Sequence, residues 1–358
     1  MRFLFIVQGE GRGHMTQAIS MRDILVRNGH EVTEVLVGKS KVREIPKFFY
    51  EKIDTQVHTY ESPNFQVSQN NKGIHIYRSI IYNITRLRTY FRSISFILKK
   101  IDEQKPDVVL NFYEMLAGIT WFLRRPKVRY ICVGHQFLML HPDFVFPKGH
   151  GFQIWMLNFL SRLTAYKSEK NLALSFVPMP DVPKKKIFVV PPVLRKEVLD
   201  LTPGDDGYIL GYMLNAGYSE EIIRWHKNHP DLKAHFFWDK KEAPEDLEVE
   251  PNLFFHRISD VKFLAYMKNC IGFSSTSGFE SVCEAMYLRK PVLMVPTAGH
   301  IEQRCNSVDA VRAGAGIACE SFELDKLLDF IPRYNRDDHR FIEWVNQGET
   351  KFLEFLTK

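Results

Sequence analysis

The chain has 358 residues, 45% apolar and 25% charged, with 48 Lys and Arg against 42 Asp and Glu for a net charge of +6. That is an ordinary composition for a soluble globular protein, too long for one comfortable core, so two domains of about 150–200 residues are expected. Five scattered cysteines (132, 270, 283, 305 and 319) include no C-x-x-C pair, which excludes a disulfide framework and a zinc site. No run of 18 uncharged apolar residues is present to span a bilayer.

In chain order, residues 3–8 read as a buried strand, and Gly9 and Gly11 follow too soon for a signal-peptide core, so the cytoplasm is the expected address. The loop Gly9-Glu10-Gly11-Arg12-Gly13-His14 has the spacing G-x-G-x-G. A dinucleotide site needs G-x-G-x-x-G and an acidic residue closing the second strand, whereas this strand ends at Gly38-Lys39. A nicotinamide or flavin dehydrogenase is disfavoured on both counts. The glycines are better described as a tight turn delivering His14 to a helix start. An imidazole there, with an ordinary pKa of about 6.5, suits a general base; a capping or structural histidine is the plainer alternative. A helix is expected from about 15 to 27, stopped by Asn28-Gly29, and a strand over 31–37.

Residues 76–101 carry apolar positions at helical spacing, together with Arg78, Arg86, Arg88, Arg92, Lys99 and Lys100. A buried strand over 106–111 ends in Asn111, with Glu114 three residues on, and another follows over 130–133. His135 and His141 flank the segment 136–140; they either line an acceptor or pack locally. Residues 152–163 are apolar, with Lys148, Arg162 and Lys167 around them. Both basic, aromatic segments could rest on an anionic membrane surface, or be core helices with a basic polar face. Strands over 172–177 and 187–190 finish this half. The Pro- and Gly-rich stretch 193–207 reads as a linker. A second alternation follows, with strands over 208–214, 234–238, 253–256, 271–274 and 292–295. The pattern predicts an α/β protein of two doubly wound, Rossmann-like parallel-sheet domains facing each other across a cleft.

The second half holds the densest signal: Ser277-Gly278-Phe279-Glu280-Ser281-Val282-Cys283-Glu284-Ala285, then Pro291, Pro296 and Glu302-Gln303. A small-residue turn opening a helix offers unpaired amides and about half a positive charge, which suits a phosphate. Ser281 and Glu284 share one helical face, and a carboxylate there could accept the two hydroxyls of a ribose. Ser277 and Glu280 also have the S-x-x-E spacing of a capping box, which gives Glu280 a structural reading. No recognition module for nucleic acid is visible.

These residues resemble the GT-B fold glycosyltransferases that use nucleotide-sugar donors, notably the peptidoglycan-precursor N-acetylglucosaminyltransferase and the UDP-glucuronosyl- and plant UDP-glycosyltransferases. Gly11-Arg12-Gly13-His14 matches their first loop, G-x-G-H. Ser277-Gly278, Ser281, Glu284-Ala285, Pro291, Pro296, Glu302-Gln303 and Asn306 follow their second-domain signature in order, and Ala313-Gly314-Ala315-Gly316 is similar to the strand entry after it. The resemblance implies an acceptor-binding domain over 1–192, a linker over 193–207, a donor-binding domain over 208–335 and a C-terminal helix over 336–358 packing back on the first domain. It implies that Ser277, Gly278, Phe279, Glu280 and Ser281 meet the diphosphate, Glu284 the ribose, Glu302 and Gln303 the donor sugar, and Ile258 the base. Asn215 and Gly217 would form a further phosphate-side loop, and Gly11, Arg12 and Gly13 an acceptor or phosphate loop. His14 would be the base of an inverting transfer, to a glycan or lipid-linked acceptor, without cofactor or metal. Many members pair that histidine with an aspartate where Asn111 stands here; Glu114 is the nearby carboxylate expected to stand in. A nucleotide-sugar 2-epimerase of the same fold and a non-catalytic nucleotide-sugar or lipid-binding partner remain the alternatives.

Overall fold

The computed structural model describes residues 1–63, 83–213, 216–240 and 242–358. They fall into two compact units, Met1–Arg195 with Glu343–Lys358, and Lys196–Ile342. Among the described residues no helix is long and apolar enough to cross a membrane.

The first unit is built on seven strands: β1 Arg2–Gln8, β2 Glu31–Lys39, β3 Val57–Glu61, β4 Val108–Phe112, β5 Arg129–Gly134, β6 Lys170–Leu174 and β7 Ile187–Val190. Their spatial order is β3-β2-β1-β4-β5-β6-β7, and every neighbouring pair is parallel. Helices cover the central strands, so β4 is buried at all five positions and reads as an uninterrupted apolar run except for Asn111. The first helix spans Arg12–Arg27, one turn earlier than the apolar spacing predicts, because Gly11 takes the extended cap position and Arg12-Gly13 fill the first turn. It stops at Asn28, with Gly29 at φ 78°. The long basic helix spans Leu87–Gln104; the start expected for it at 76 lies outside the described residues.

The second unit has β8 Ile209–Met213, β9 Ala234–Trp238, β10 Asp246–Glu250, β11 Leu253–Arg257, β12 Gly272–Ser275, β13 Val292–Met294 and β14 Gly316–Ala318. Their order is β10-β11-β9-β8-β12-β13-β14; all neighbours are parallel except the hairpin β10–β11. Its core gathers Ile209, Phe236, Phe255, Leu293 and Leu327, each fully buried. Both sheets are the doubly wound parallel kind expected from the alternation.

Candidate functional site

In each unit the chain leaves a central strand in one direction and returns on that strand's other side. The loops after the two adjacent central strands therefore diverge and leave a crevice at their carboxyl ends. The pair is β1 and β4 in the first unit, β8 and β12 in the second.

At the first crevice Gly11 caps the helix Arg12–Arg27 with no side-chain hydrogen bond, and the Arg12 guanidinium lies 5.2 Å over the Phe48 ring. Gly13 and His14 complete the first turn. His14 is 8% exposed. Its Nδ1 is 3.2 Å from Gln17 Oε1, and its Nε2 is 3.4 Å from Gln136 Nε2. An amide oxygen only accepts and an amide nitrogen only donates, so these partners assign the ring proton to Nδ1 and the lone pair to Nε2. The imidazole stacks on Tyr113, with centroids 5.7 Å apart and planes 25° apart. Tyr113 follows β4 directly, holds φ 56°, and anchors its hydroxyl 2.8 Å from Ser161 Oγ. Sequence reasoning missed Gln17, Tyr113 and Gln136. The three-residue spacing from His14 to Gln17 was the one signal available.

Glu114 does not support His14. It is 1% exposed and caps the helix Met115–Leu123, accepting from the Ala117 amide at 2.9 Å and from the Ser62 hydroxyl. It packs under Gly38, where a Cβ would come within 2.7 Å of its Oε1. Burial raises its pKa, opposed by hydrogen bonds from Ser62 and Tyr60. Asn111 is tied to the same turn: its Nδ2 donates to Tyr130 Oη at 2.7 Å, and its Oδ1 accepts from the Glu114 amide at 2.8 Å. The carboxylate expected beside the imidazole thus builds the exit of β4, and the orienting acceptor is Gln17. His135 donates Nδ1–H to the Leu174 carbonyl, and burial lowers its pKa to about 4. His141 bridges the Pro180 carbonyl and the Asp143 amide, a local loop clasp.

At the second crevice β12 runs through Thr276 and Ser277 to Gly278, the N-cap of the helix Phe279–Tyr287, and no side chain caps that end. The expected capping box of Ser277 and Glu280 is therefore absent. Ser277 sits at φ 62°, which moves the cap one residue on and puts Ser281 at the third helical position, where its hydroxyl donates to the Gly278 carbonyl at 3.1 Å. Ser277 is fully buried, and its carbonyl accepts from Asn306 Nδ2 at 3.1 Å. Ser277 Oγ and Asn306 Oδ1 have no hydrogen-bond partner among the described residues, and such a buried polar atom costs about 1–3 kcal/mol until something pairs with it. Glu284 lies further along the same helix, 3% exposed.

Glu302 lies in the first turn of the helix Ile301–Arg312, and Gln303 beside it turns its Oε1 to the Thr297 amide at 2.8 Å, leaving the Nε2 end as donor. Gly217 is exposed on the 3₁₀ turn Ala216–Tyr218 after β8; Asn215 lies outside the described residues. Ile258 follows β11, next to Ser259, which is the N-cap of the helix Asp260–Asn269. The second unit thus ties Asn306 to Ser277 at the helix start of Gly278 and Phe279, and Gln303, one turn before Asn306 on its helix, to Thr297. Ile258 stands three strand spacings from β12, about 14 Å along the sheet.

A search of curated proteins finds no match to this sequence. Solved structures do match in fold. The glycotransferase of kitacinnamycin aligns with TM-score 0.65 at 15% identity over 99% of this chain and 98% of its own. Arabidopsis thaliana UGT89C1 complexed with quercetin gives 0.63 at 14%, over 99% and 98%. The spinosyn rhamnosyltransferase SpnG complexed with thymidine diphosphate gives 0.62 at 12%, over the whole of both chains. The sequence profile described as glycosyl transferase family 1 matches residues 1–334, and with that match across both units the chain belongs to this family and is a glycosyltransferase of GT-B fold.

Proposed function

We propose that the protein transfers a sugar from a nucleoside-diphosphate donor, a UDP-sugar in the first instance, to an acceptor hydroxyl of a glycan or lipid-linked molecule, with inversion. The observation that supports it most directly is the uncapped end of the helix Phe279–Tyr287 at the switch point, beside the buried Ser277 hydroxyl. The donor's diphosphate would take the first-turn amides of Phe279, Glu280 and Ser281 and that hydroxyl. Glu284 would accept from the ribose hydroxyls, and Glu302 and Gln303 would read the sugar. An extended nucleoside diphosphate lying across the strand ends would carry its base toward Ile258. That relatives are complexed with thymidine diphosphate and with UDP supports a donor of this class.

His14 Nε2, whose lone pair faces Gln136 Nε2 while Nδ1–H donates to Gln17, would exchange Gln136 for the acceptor hydroxyl and take its proton. The freed oxygen would attack the anomeric carbon from the face opposite the diphosphate. The C–O bond to the diphosphate breaks with its electron pair on the departing oxygen, where helix amides stabilise the charge.

Gly278→Asp tests the donor site. Gly278 has φ −68° and ψ 129°, a conformation open to any residue, and a Cβ there meets only Ser281 Oγ at 3.5 Å. Aspartate is a favoured cap, so the variant should melt no lower than wild type. Its carboxylate would repel the diphosphate and weaken UDP binding in calorimetry by about tenfold or more. His14→Ala should bind UDP normally and lose turnover by about a hundredfold or more. Undiminished UDP affinity in the first variant rejects the phosphate site; undiminished turnover in the second rejects the base.

A further inference from the structure

The helix Gly151–Thr164 in the first unit is amphipathic the wrong way round. Its inward side buries Leu157, Ser161 and Thr164. Its outward side carries Phe152, Trp155 and Phe159, exposed by 58%, 54% and 48%. The three rings stack in a column, Phe152 on Trp155 at 6.0 Å and Trp155 on Phe159 at 5.7 Å. The helix is not free to roll this column inward. Its inner hydroxyls are engaged, Ser161 Oγ with Tyr113 Oη at 2.8 Å and with the Leu157 carbonyl at 2.9 Å. It also packs closely on Met115–Leu123, whose own end exposes Phe122 and Leu123 by 51% and 44%. Phe122 meets Tyr166, just past the helix end, at 5.1 Å. One apolar face thus runs across two helices.

Charge tells what covers it. Residues 115–128 contain Arg124, Arg125 and Lys127, and residues 144–168 contain Lys148, Arg162 and Lys167; neither segment holds an Asp or Glu. Each of these six cations is exposed. Arg124 stands beside Asp102 and Glu103, and Glu169, just past the second segment, pairs with Arg129; within the segment that carries the ring column, Lys148, Arg162 and Lys167 stand against no carboxylate. A second copy meeting this face about a twofold axis would set like charge against like charge. An interface of phosphate headgroups over hydrocarbon satisfies both the rings and the cations, and aromatic side chains favour that depth.

We propose that this face docks the protein on an anionic lipid bilayer, with the Phe152–Trp155–Phe159 column entering the headgroup boundary. The docking goes beyond sugar transfer and is measured without donor or acceptor, so its failure and that of the transfer reading are distinguishable. The full chain would be floated with vesicles of phosphatidylglycerol and phosphatidylcholine, and with phosphatidylcholine alone. Binding is expected to the anionic vesicles, weakened by salt. The triple variant Phe152→Ser, Trp155→Ser, Phe159→Ser and the double variant Lys148→Glu, Arg162→Glu should each bind about tenfold more weakly or less. All five positions are solvent-exposed, so melting temperatures should stay near wild type. A blue shift of tryptophan fluorescence on anionic vesicles, lost in Trp155→Ala, would place that ring in the interface. The proposal is overturned by absent binding, by equal binding to neutral vesicles, by wild-type binding in the triple variant, or by a dimer in light scattering that the triple variant dissociates.

Discussion

Tyr113 and Ser277 stand at equivalent places: each lies just beyond the strand that returns across the switch point, β4 or β12, and each holds a left-handed backbone, at φ 56° and 62°. For a non-glycine residue this costs on the order of 1–3 kcal/mol and persists where its surroundings fix it. Tyr113 is fixed by Ser161 and the His14 ring, Ser277 by Asn306. Sharing an acidic neighbourhood with that helix start is Asp309, whose pKa burial raises from 3.8 to about 7 against the pull of Arg312. Burial, then Glu280, Glu284 and Asp309, push the Cys283 thiol well above its usual range. Between those two pKa values the folded protein keeps the Asp309 proton that the unfolded chain releases, so this group's effect is a loss of stability as pH rises from about 4 to about 7. Asp309→Asn should therefore raise the melting temperature at about pH 8 and leave it unchanged near pH 4. Parallel melting curves for variant and wild type across that range would contradict the assignment.

At the scale of elements, the buried parallel strands were legible because burial on both faces makes them continuous apolar runs, as in Phe3-Leu4-Phe5-Ile6-Val7. Two of the peripheral strands were not. β10, Asp-Leu-Glu-Val-Glu, sits at the antiparallel edge and β3, Val-His-Thr-Tyr-Glu, at the other sheet's edge, so polar residues are tolerated and no apolar run marks either. In the candidate site, Gly278 and His14 could be read from small-residue turns, whereas the left-handed Tyr113 and the shifted cap at Gly278 are backbone choices that residue types do not announce. Gly118 is a further case. The helix Met115–Leu123 crosses Gly151–Thr164 so closely that a Cβ on Gly118 would lie 2.1 Å from the Leu163 carbonyl oxygen and 2.5 Å from that of Thr164. The obstruction is backbone and cannot be relieved by a rotamer. Gly118→Ala should cost about 1–3 kcal/mol by forcing the helices apart, read as a lower denaturant midpoint with an unchanged slope. A midpoint equal to wild type would show that the helices separate at no cost.

For the molecule as a whole, the two units differ in how the chain supplies them. The second is one uninterrupted stretch, Lys196–Ile342, with its own seven-stranded sheet and core. The first needs Glu343–Lys358 as well. That segment buries Trp344, Phe352 and Leu356, donates the Trp344 indole N–H to the Ser175 carbonyl at 2.9 Å, and pairs Glu349 with Arg27. Burying one such apolar side chain is worth about 1.5–3 kcal/mol, so the last sixteen residues hold a large share of a domain's net stability. A chain ending at residue 342 should therefore lose the calorimetric transition of the first unit or show it much lower, with the second unit's transition in place. The isolated stretch 196–342 should melt cooperatively, and because every donor residue proposed here lies within it, UDP should raise its midpoint and that of the full chain alike. An unfolded fragment would show that the second core depends on the first. A folded fragment deaf to UDP would move the donor site elsewhere.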